Sequence, residues 1–211
     1  MIITRTPFRI SFCGGGTDIP NFYKKNSYGL VLASSINKFL YVAVKSHSSI
    51  YKEKIRLNYS STELVNNIDD VKNPIIKACL KFTNVNERVY ISTVADVPGG
   101  TGLGSSSTFC VGLLNALYNF KGEVVSKNRL AEEAAHIEIE ILKRPVGKQD
   151  HYAAAFGGIN LFKFYSNGSV SINPINDNSK FTKMIFNNLH TFYTGISRSS
   201  SKVLEVQRER V

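Results

Sequence analysis

Apolar and polar positions alternate through "IITRTPFRISF", and that period of two, rich in β-branched and aromatic residues, predicts a strand. "GLVLASSINKFLYVAVKS" predicts a second strand, and "SIYKEKIRLNYS" one or two more. "NPIIKACLKF" opens an apolar run with Pro and predicts a short helix. "RVYISTVADV" returns to a strand pattern, and a helix is predicted over 105–120. "SKNRLAEEAAHIEIEILKR" predicts another helix, with Ser126 as N-cap and Pro145 just past its end. "AAAFGGINLFKFYSNGSVSINPI" predicts a hairpin turning at "SNGS". The tail "LHTFYTGISRSSSKVLEVQRERV" predicts a strand, a turn and an opening helix. Strands and helices interspersed in this way make an α/β or α+β chain.

The helix from Ser126 carries one anomaly. At about 100° per residue, Leu130, Ala131, Ala134, Ala135, Ile137, Ile139, Ile141 and Leu142 fall on one broad apolar arc. Glu132, Glu133, His136, Glu140, Lys143 and Arg144 take the opposite side. Glu138 lies inside the apolar arc, where a lone carboxylate is costly to bury without a partner. A metal ion or a buried cation would supply one, and a core Arg or backbone amides would serve equally well.

Between the predicted strand and the helix at 105–120 runs "DVPGGTGLGSSST". Gly99, Gly100, Gly102 and Gly104 allow a backbone that folds tightly and approaches a ligand closely. The helix start that follows offers free N–H groups and the positive end of a dipole, the makings of an anion site. A Walker A loop would place Lys where Ser105 stands, and the dinucleotide pattern is not matched either. A tight turn with capping serines is the plainer alternative, but four glycines exceed what a turn requires.

Two more stretches invite a chemical reading. In "RPVGKQDHYAAAFGG", Asp150 follows a Pro-Gly turn, where it caps a helix or opens onto a cleft. In "PFRISFCGGGTDIP", Arg9 on a strand precedes Gly15, Gly16, Thr17 and Asp18, either a close-approach loop with a polar reader or a plain turn. The histidines show no metal-ligand spacing.

With 211 residues and 43% apolar content, the composition is that of an ordinary globular protein with no apolar span long enough for a bilayer. Cys13, Cys79 and Cys110 are odd in number and scattered, which argues against a disulfide framework and fits a reducing cytoplasm. The formal charge of +10 attracts anions, but the Lys and Arg residues are dispersed rather than striped, so no nucleic-acid footprint is expected.

"PGGTGLGSSST", "PFRISFCGGGTDIP" and "PVGKQDHYAAAFGG" together resemble the GHMP small-molecule kinases, and "HTFYTGISRSSSKVL" resembles a bacterial sugar-kinase branch of that family. The likeness runs from Ile3 through essentially the whole chain. It implies an α+β, two-layer sandwich of the ribosomal-protein-like βα kind over 1–180, with 181–211 opening a ferredoxin-like second domain. It implies ATP and Mg²⁺ as cofactors and a small sugar phosphate as substrate, phosphorylated on its anomeric hydroxyl. A heptose 7-phosphate is the implied sugar, with a fucose or galactose type as the alternative.

By the same resemblance, Pro98, Gly99, Gly100, Gly102, Leu103, Gly104, Ser105, Ser106 and Ser107 would wrap the ATP phosphates. Ser106 and Glu138 would hold Mg²⁺. Asp150 would be the catalytic base, kept ionised by Arg9, since a nearby cation lowers a carboxylate's pKa. Gly15, Gly16, Thr17 and Asp18 would contact the sugar. A complete member would run on by roughly another hundred residues. The resemblance therefore also implies a chain that self-associates, takes its second domain from a partner chain, or is an inactive remnant.

Overall fold

The structure, a computed structural model, describes residues 1–192 and 195. Seven strands form one mixed sheet with helices packed on it, an α+β fold. The strands are β1 (Ile2–Cys13), β2 (Tyr28–Ser46), β3 (Ile55–Asn58), β4 (Thr62–Val65), β5 (Val89–Ala95), β6 (Ile159–Tyr165) and β7 (Val170–Pro174). Their order is β4-β3-β5-β2-β6-β7, with β1 also paired to β2. β3 and β5 run parallel, and the other pairs are antiparallel. The hairpin β6–β7 turns where the sequence predicts it, Gly168 N–H donating to the Tyr165 carbonyl at 2.8 Å.

The alternation in β1 sends Thr4, Thr6 and Phe8 inward. The β1–β2 ladder then slips: Pro7 faces Phe39 but Arg9 faces Ser35, so Phe8 stands opposite three residues of β2. Such irregularities break regular pairing and re-aim side chains. At this one, the Arg9 N–H bonds the Leu103 carbonyl at 3.3 Å, tying the glycine loop to the sheet.

The helices are α1 (Pro20–Lys25), α2 (Pro74–Phe82), α3 (Ser105–Phe120), α4 (Lys127–His136), α5 (Gln149–Phe156) and α6 (Lys180–Asn187). Asn73 caps α2 and Ser126 caps α4, each side chain accepting from backbone N–H groups of the first turn. α3 is apolar almost all round because it is the central helix, with Cys110, Leu113, Leu114, Ala116 and Leu117 wholly buried. A second apolar cluster, built on Tyr23, Val31, Tyr152, Phe162 and Phe164, seats α5.

Several expectations need correction. The helix predicted from Ser126 is regular only to His136 and continues as a π-helical turn over Ile137–Ile141. The wider turn shifts the apolar arc, so Ile141 is 47% exposed rather than buried. α5 occupies the small-residue run read as the start of the hairpin, and α1, β4 and α6 are not predicted by the pattern. Residues 189–192 take no regular structure, so the tail's strand is not formed there. From 193 onward, Gly195 apart, the predicted tail elements lie outside the described residues.

Candidate active site

Glu138 sits in the π-helical turn with no exposed surface, facing the first turn of α3. Its two oxygens have different surroundings. Oε2 accepts from the Ser107 hydroxyl at 2.7 Å and the His151 ring at 2.9 Å, both buried groups. Oε1 accepts from the Ser106 hydroxyl at 2.5 Å and from Arg144 Nη1 at 2.8 Å. Arg144 Nη1 also donates to Ser106 Oγ, and its side chain is 32% exposed. One oxygen is therefore locked inside the protein while the other looks to the mouth of the site. Burial pushes Glu138 up, but hydrogen bonds from His151, Ser106 and Ser107 outweigh it and bring the carboxyl down to about 2.

The chain folds this way because helix geometry fails at a useful place. Lys143 adopts a left-handed conformation (φ 53°) after the π-helical turn. The chain reverses, and the Arg144 N–H donates to the Glu138 carbonyl at 2.9 Å. Both irregularities are of the kind that gathers at functional sites. Arg144, expected on the solvent side of a longer helix, is instead folded back onto the carboxylate it follows by six positions.

A second charged pair lies at the start of α5. Arg9 Nε and Nη2 both reach Oδ1 of Asp150 at 2.6 Å, and Arg9 Nη1 donates to the Gly102 carbonyl at 2.8 Å. Gly104, the N-cap of α3, has φ +77°, a conformation that favours glycine. A Cβ there would also meet Asp150 Oδ2 at 3.2 Å. The residue that opens α3 thus borders Asp150, and the second residue of α3 touches Glu138. Two ionic pairs flank one helix start, whose free N–H groups suit an anion.

The turn from Gly14 to Asp18 lies on the other side of α5's first residues. Exposed Gly15 stands beside the Gln149 side chain, and the Thr17 hydroxyl is spent on the Gly14 and Leu30 backbone. Asp18 is 1% exposed. Its carboxylate accepts from Gly16 N–H at 3.1 Å, Gln149 N–H at 2.9 Å and Gln149 Nε2 at 3.2 Å. Gly147 permits this approach, since a Cβ there would lie 1.9 Å from Asp18 Oδ2. Burial raises the Asp18 pKa against the backbone hydrogen bonds, and the charge of Asp150 adds to the rise. Asp18 staples the turn to α5.

The structure thus gathers Ser106, Ser107, Glu138, Arg9, Asp150, Gly104 and Gly15 around the starts of α3 and α5. Arg144 and His151 are additions that the sequence pattern did not single out. His151 has a signal in hindsight, standing next to Asp150 at the start of a buried small-residue run. A separate surface depression of about 420 Å³, beside β3 and α2, is lined by Lys54, Asn66, Asp69, Lys81 and neighbours, and shares no residue with this cluster.

Among the described residues, no group of three or more His, Cys, Asp and Glu side chains converges as a metal cage. A magnesium ion does not need one: it takes one or two protein oxygens and fills its shell with water and phosphate. Ser106 Oγ and Glu138 Oε1 fit that donor set, and both already accept a cation, the guanidinium of Arg144.

Residues 71–158 match the GHMP kinases N terminal domain. Across the whole chain there is 31% identity to the D-glycero-alpha-D-manno-heptose 7-phosphate kinase of Campylobacter jejuni, of which the chain spans 64%. The galactokinase of Pyrococcus furiosus is 26% identical over all of this chain and 58% of its own length. The crystal structure of a D-glycero-D-manno-heptose 1-phosphate kinase from Bacteroides thetaiotaomicron superposes with a TM-score of 0.76 at 28% identity, covering 83% of this chain and 60% of that one. The chain spans under two thirds of each of these relatives. The segment that matches the GHMP kinases N terminal domain takes in the glycine loop, α3, the Glu138 turn and Asp150.

Proposed function

We propose that this chain is the ATP-binding part of a sugar kinase that phosphorylates the anomeric hydroxyl of a heptose 7-phosphate to give the 1,7-bisphosphate. The observation that carries this reading is the flanking of one helix start by two ionic pairs, Glu138–Arg144 on one side and Asp150–Arg9 on the other. The backbone of 98–107 would hold the β- and γ-phosphates of ATP at the N-terminus of α3. Ser106 and Glu138 would hold Mg²⁺, which when bound neutralises charge on the phosphates. Asp150 would accept the proton of the sugar hydroxyl as its oxygen bonds the γ-phosphorus and the bond to the β-phosphate oxygen breaks. Arg9 fixes the orientation of that carboxylate. Gly15, Gly16, Thr17 and Asp18 would line the sugar side, with Asp18 also holding their turn in shape.

Heptose phosphate kinases among the relatives favour the heptose, and the work of such an enzyme would lie in the cytoplasm. Among the described residues no helix is long and apolar enough to cross a membrane. Residues 1–180 would form the nucleotide-binding domain and 181–211 the opening of the next. The test is ³¹P NMR of the purified chain with ATP, Mg²⁺ and heptose 7-phosphate, with galactose and fucose as parallel arms. Formation of the 1,7-bisphosphate that Asp150→Asn abolishes supports the assignment. Turnover of galactose or fucose alone moves the substrate, and turnover surviving in Asp150→Asn removes the base.

A further inference from the structure

We infer that Arg144 is a built-in exchangeable cation: its guanidinium occupies the seat proposed for the divalent ion, and metal binding requires it to leave. This rests on the reading of Ser106 and Glu138 as the metal's ligands. Arg144 Nη1 bonds both of those oxygens at once, Glu138 Oε1 at 2.8 Å and Ser106 Oγ. A metal ion bound to the same two atoms would lie within a few ångströms of that nitrogen, where two positive charges repel strongly in a partly dry site. The two cations cannot share the seat.

The geometry also explains why the exchange would leave the site standing. Glu138 Oε2 remains fixed by Ser107 and His151, so the carboxylate keeps its orientation when Oε1 changes partner. The moving group belongs to the side chain of Arg144, which reaches solvent, whereas its backbone stays tied to the Glu138 carbonyl at 2.9 Å. It follows a left-handed residue and precedes Pro145, in a segment outside any helix or strand. A buried carboxylate without a cation is costly. Arg144 meets that cost until a metal takes over, and once displaced it remains near any polyphosphate bound to that metal.

The consequence is that Arg144 weakens metal binding, the opposite of what a permanent member of the metal site would do. Mn²⁺ serves as the probe, its free fraction read by electron paramagnetic resonance on the full chain without nucleotide. Arg144→Gln should bind Mn²⁺ roughly tenfold tighter, the scale of one charge-assisted hydrogen bond removed from competition. Arg144→Lys should stay near the parent, and adding Glu138→Gln to Arg144→Gln should erase the gain. A readout without substitution is the Arg144 Nε–H resonance of the parent chain, which should shift as Mg²⁺ is added. Unchanged or weaker Mn²⁺ affinity in Arg144→Gln, or a resonance indifferent to saturating Mg²⁺, overturns the exchange. If Glu138→Gln still lowers Mn²⁺ affinity in that case, the metal reading survives alone. If Glu138→Gln leaves affinity unchanged in every background, the metal reading falls and the exchange with it.

Discussion

Glu138 and Glu63 are both buried carboxylates held below their ordinary range, yet the molecule uses different kinds of partner for each. Glu63, on β4, accepts from the backbone N–H groups of Lys72 at 2.7 Å and Asn73 at 3.1 Å, and from the Tyr59 hydroxyl at 2.6 Å. It fastens a strand to the start of α2, and its main-chain partners cannot move without moving the fold. Glu138 is met only by side chains, one of them a half-exposed arginine. A carboxylate satisfied by backbone is a staple. One satisfied by side chains at the mouth of a helix start can change partners, which is what a site requires. Asp18, held by two backbone N–H groups and the Gln149 side chain, combines the two kinds of partner, and burial raises its pKa where Glu63's is lowered.

The contrast is broken most forcefully by exchanging acid for amide. Glu138→Gln should reduce ATP-dependent phosphoryl transfer by at least about a hundredfold, the scale of lost electrostatic stabilisation at a reacting centre. Asp150→Asn should fall by about 10²–10⁴-fold in kcat, the contribution of a general base, with ATP affinity by calorimetry near that of the parent. Glu63→Gln should do the reverse, keeping activity per folded molecule while losing about 1–3 kcal/mol in urea unfolding. Activity lost in Glu63→Gln and kept in Glu138→Gln would invert the assignment of staple and site.

How much of this is legible in the sequence depends on the range over which each feature is encoded. Glu138 is legible because a carboxylate within the arc of Ala131, Ala135 and Leu142 breaks a strong local period. The glycine loop is legible because four glycines ahead of a serine run leave few other uses. Arg144 is not, since the period of 3.6 carries it to the solvent side, and only the π-helical turn and Lys143's left-handed backbone bring it back. Neither irregularity has a Gly or Pro to announce it. α5 is hidden for another reason. "QDHYAAAF" is eight residues long, too short for periodicity to separate a helix from the approach to a strand. Asp18's inward turn depends on Gly147, 129 positions away, a contact that no local pattern encodes.

Acidification sharpens the same contrast. Both glutamates have folded-state pKa values below the ordinary 4.5, so each contributes stability in full above that pH and loses it as the pH falls through the folded value. For Glu138 that window runs from 4.5 down to about 2. Stability of the parent should therefore drop more steeply over this range than that of Glu138→Gln, measured by urea midpoints at successive pH values. A parallel slope in the two proteins would mean that Glu138 is not held ionised by its neighbours.

The smallest expected effect separates the two oxygens of one side chain. Ser107 is 2% exposed and donates to the locked oxygen, so Ser107→Ala should cost about 1 kcal/mol of stability and change Mn²⁺ affinity little. Ser106 donates to the open oxygen and shares Arg144 with it, so Ser106→Ala should spare stability and weaken Mn²⁺ binding several-fold, roughly one ligand's worth. The two hydroxyls are consecutive in sequence and chemically identical, and the substitution removes the same atom from each. A difference in outcome reports the different surroundings of the two hydroxyls, Ser106 on the open oxygen and proposed as a metal ligand itself, Ser107 buried on the locked one. If both alanine variants weaken Mn²⁺ equally, the carboxylate acts through both oxygens, and the division between a fixed and an exchangeable side is wrong.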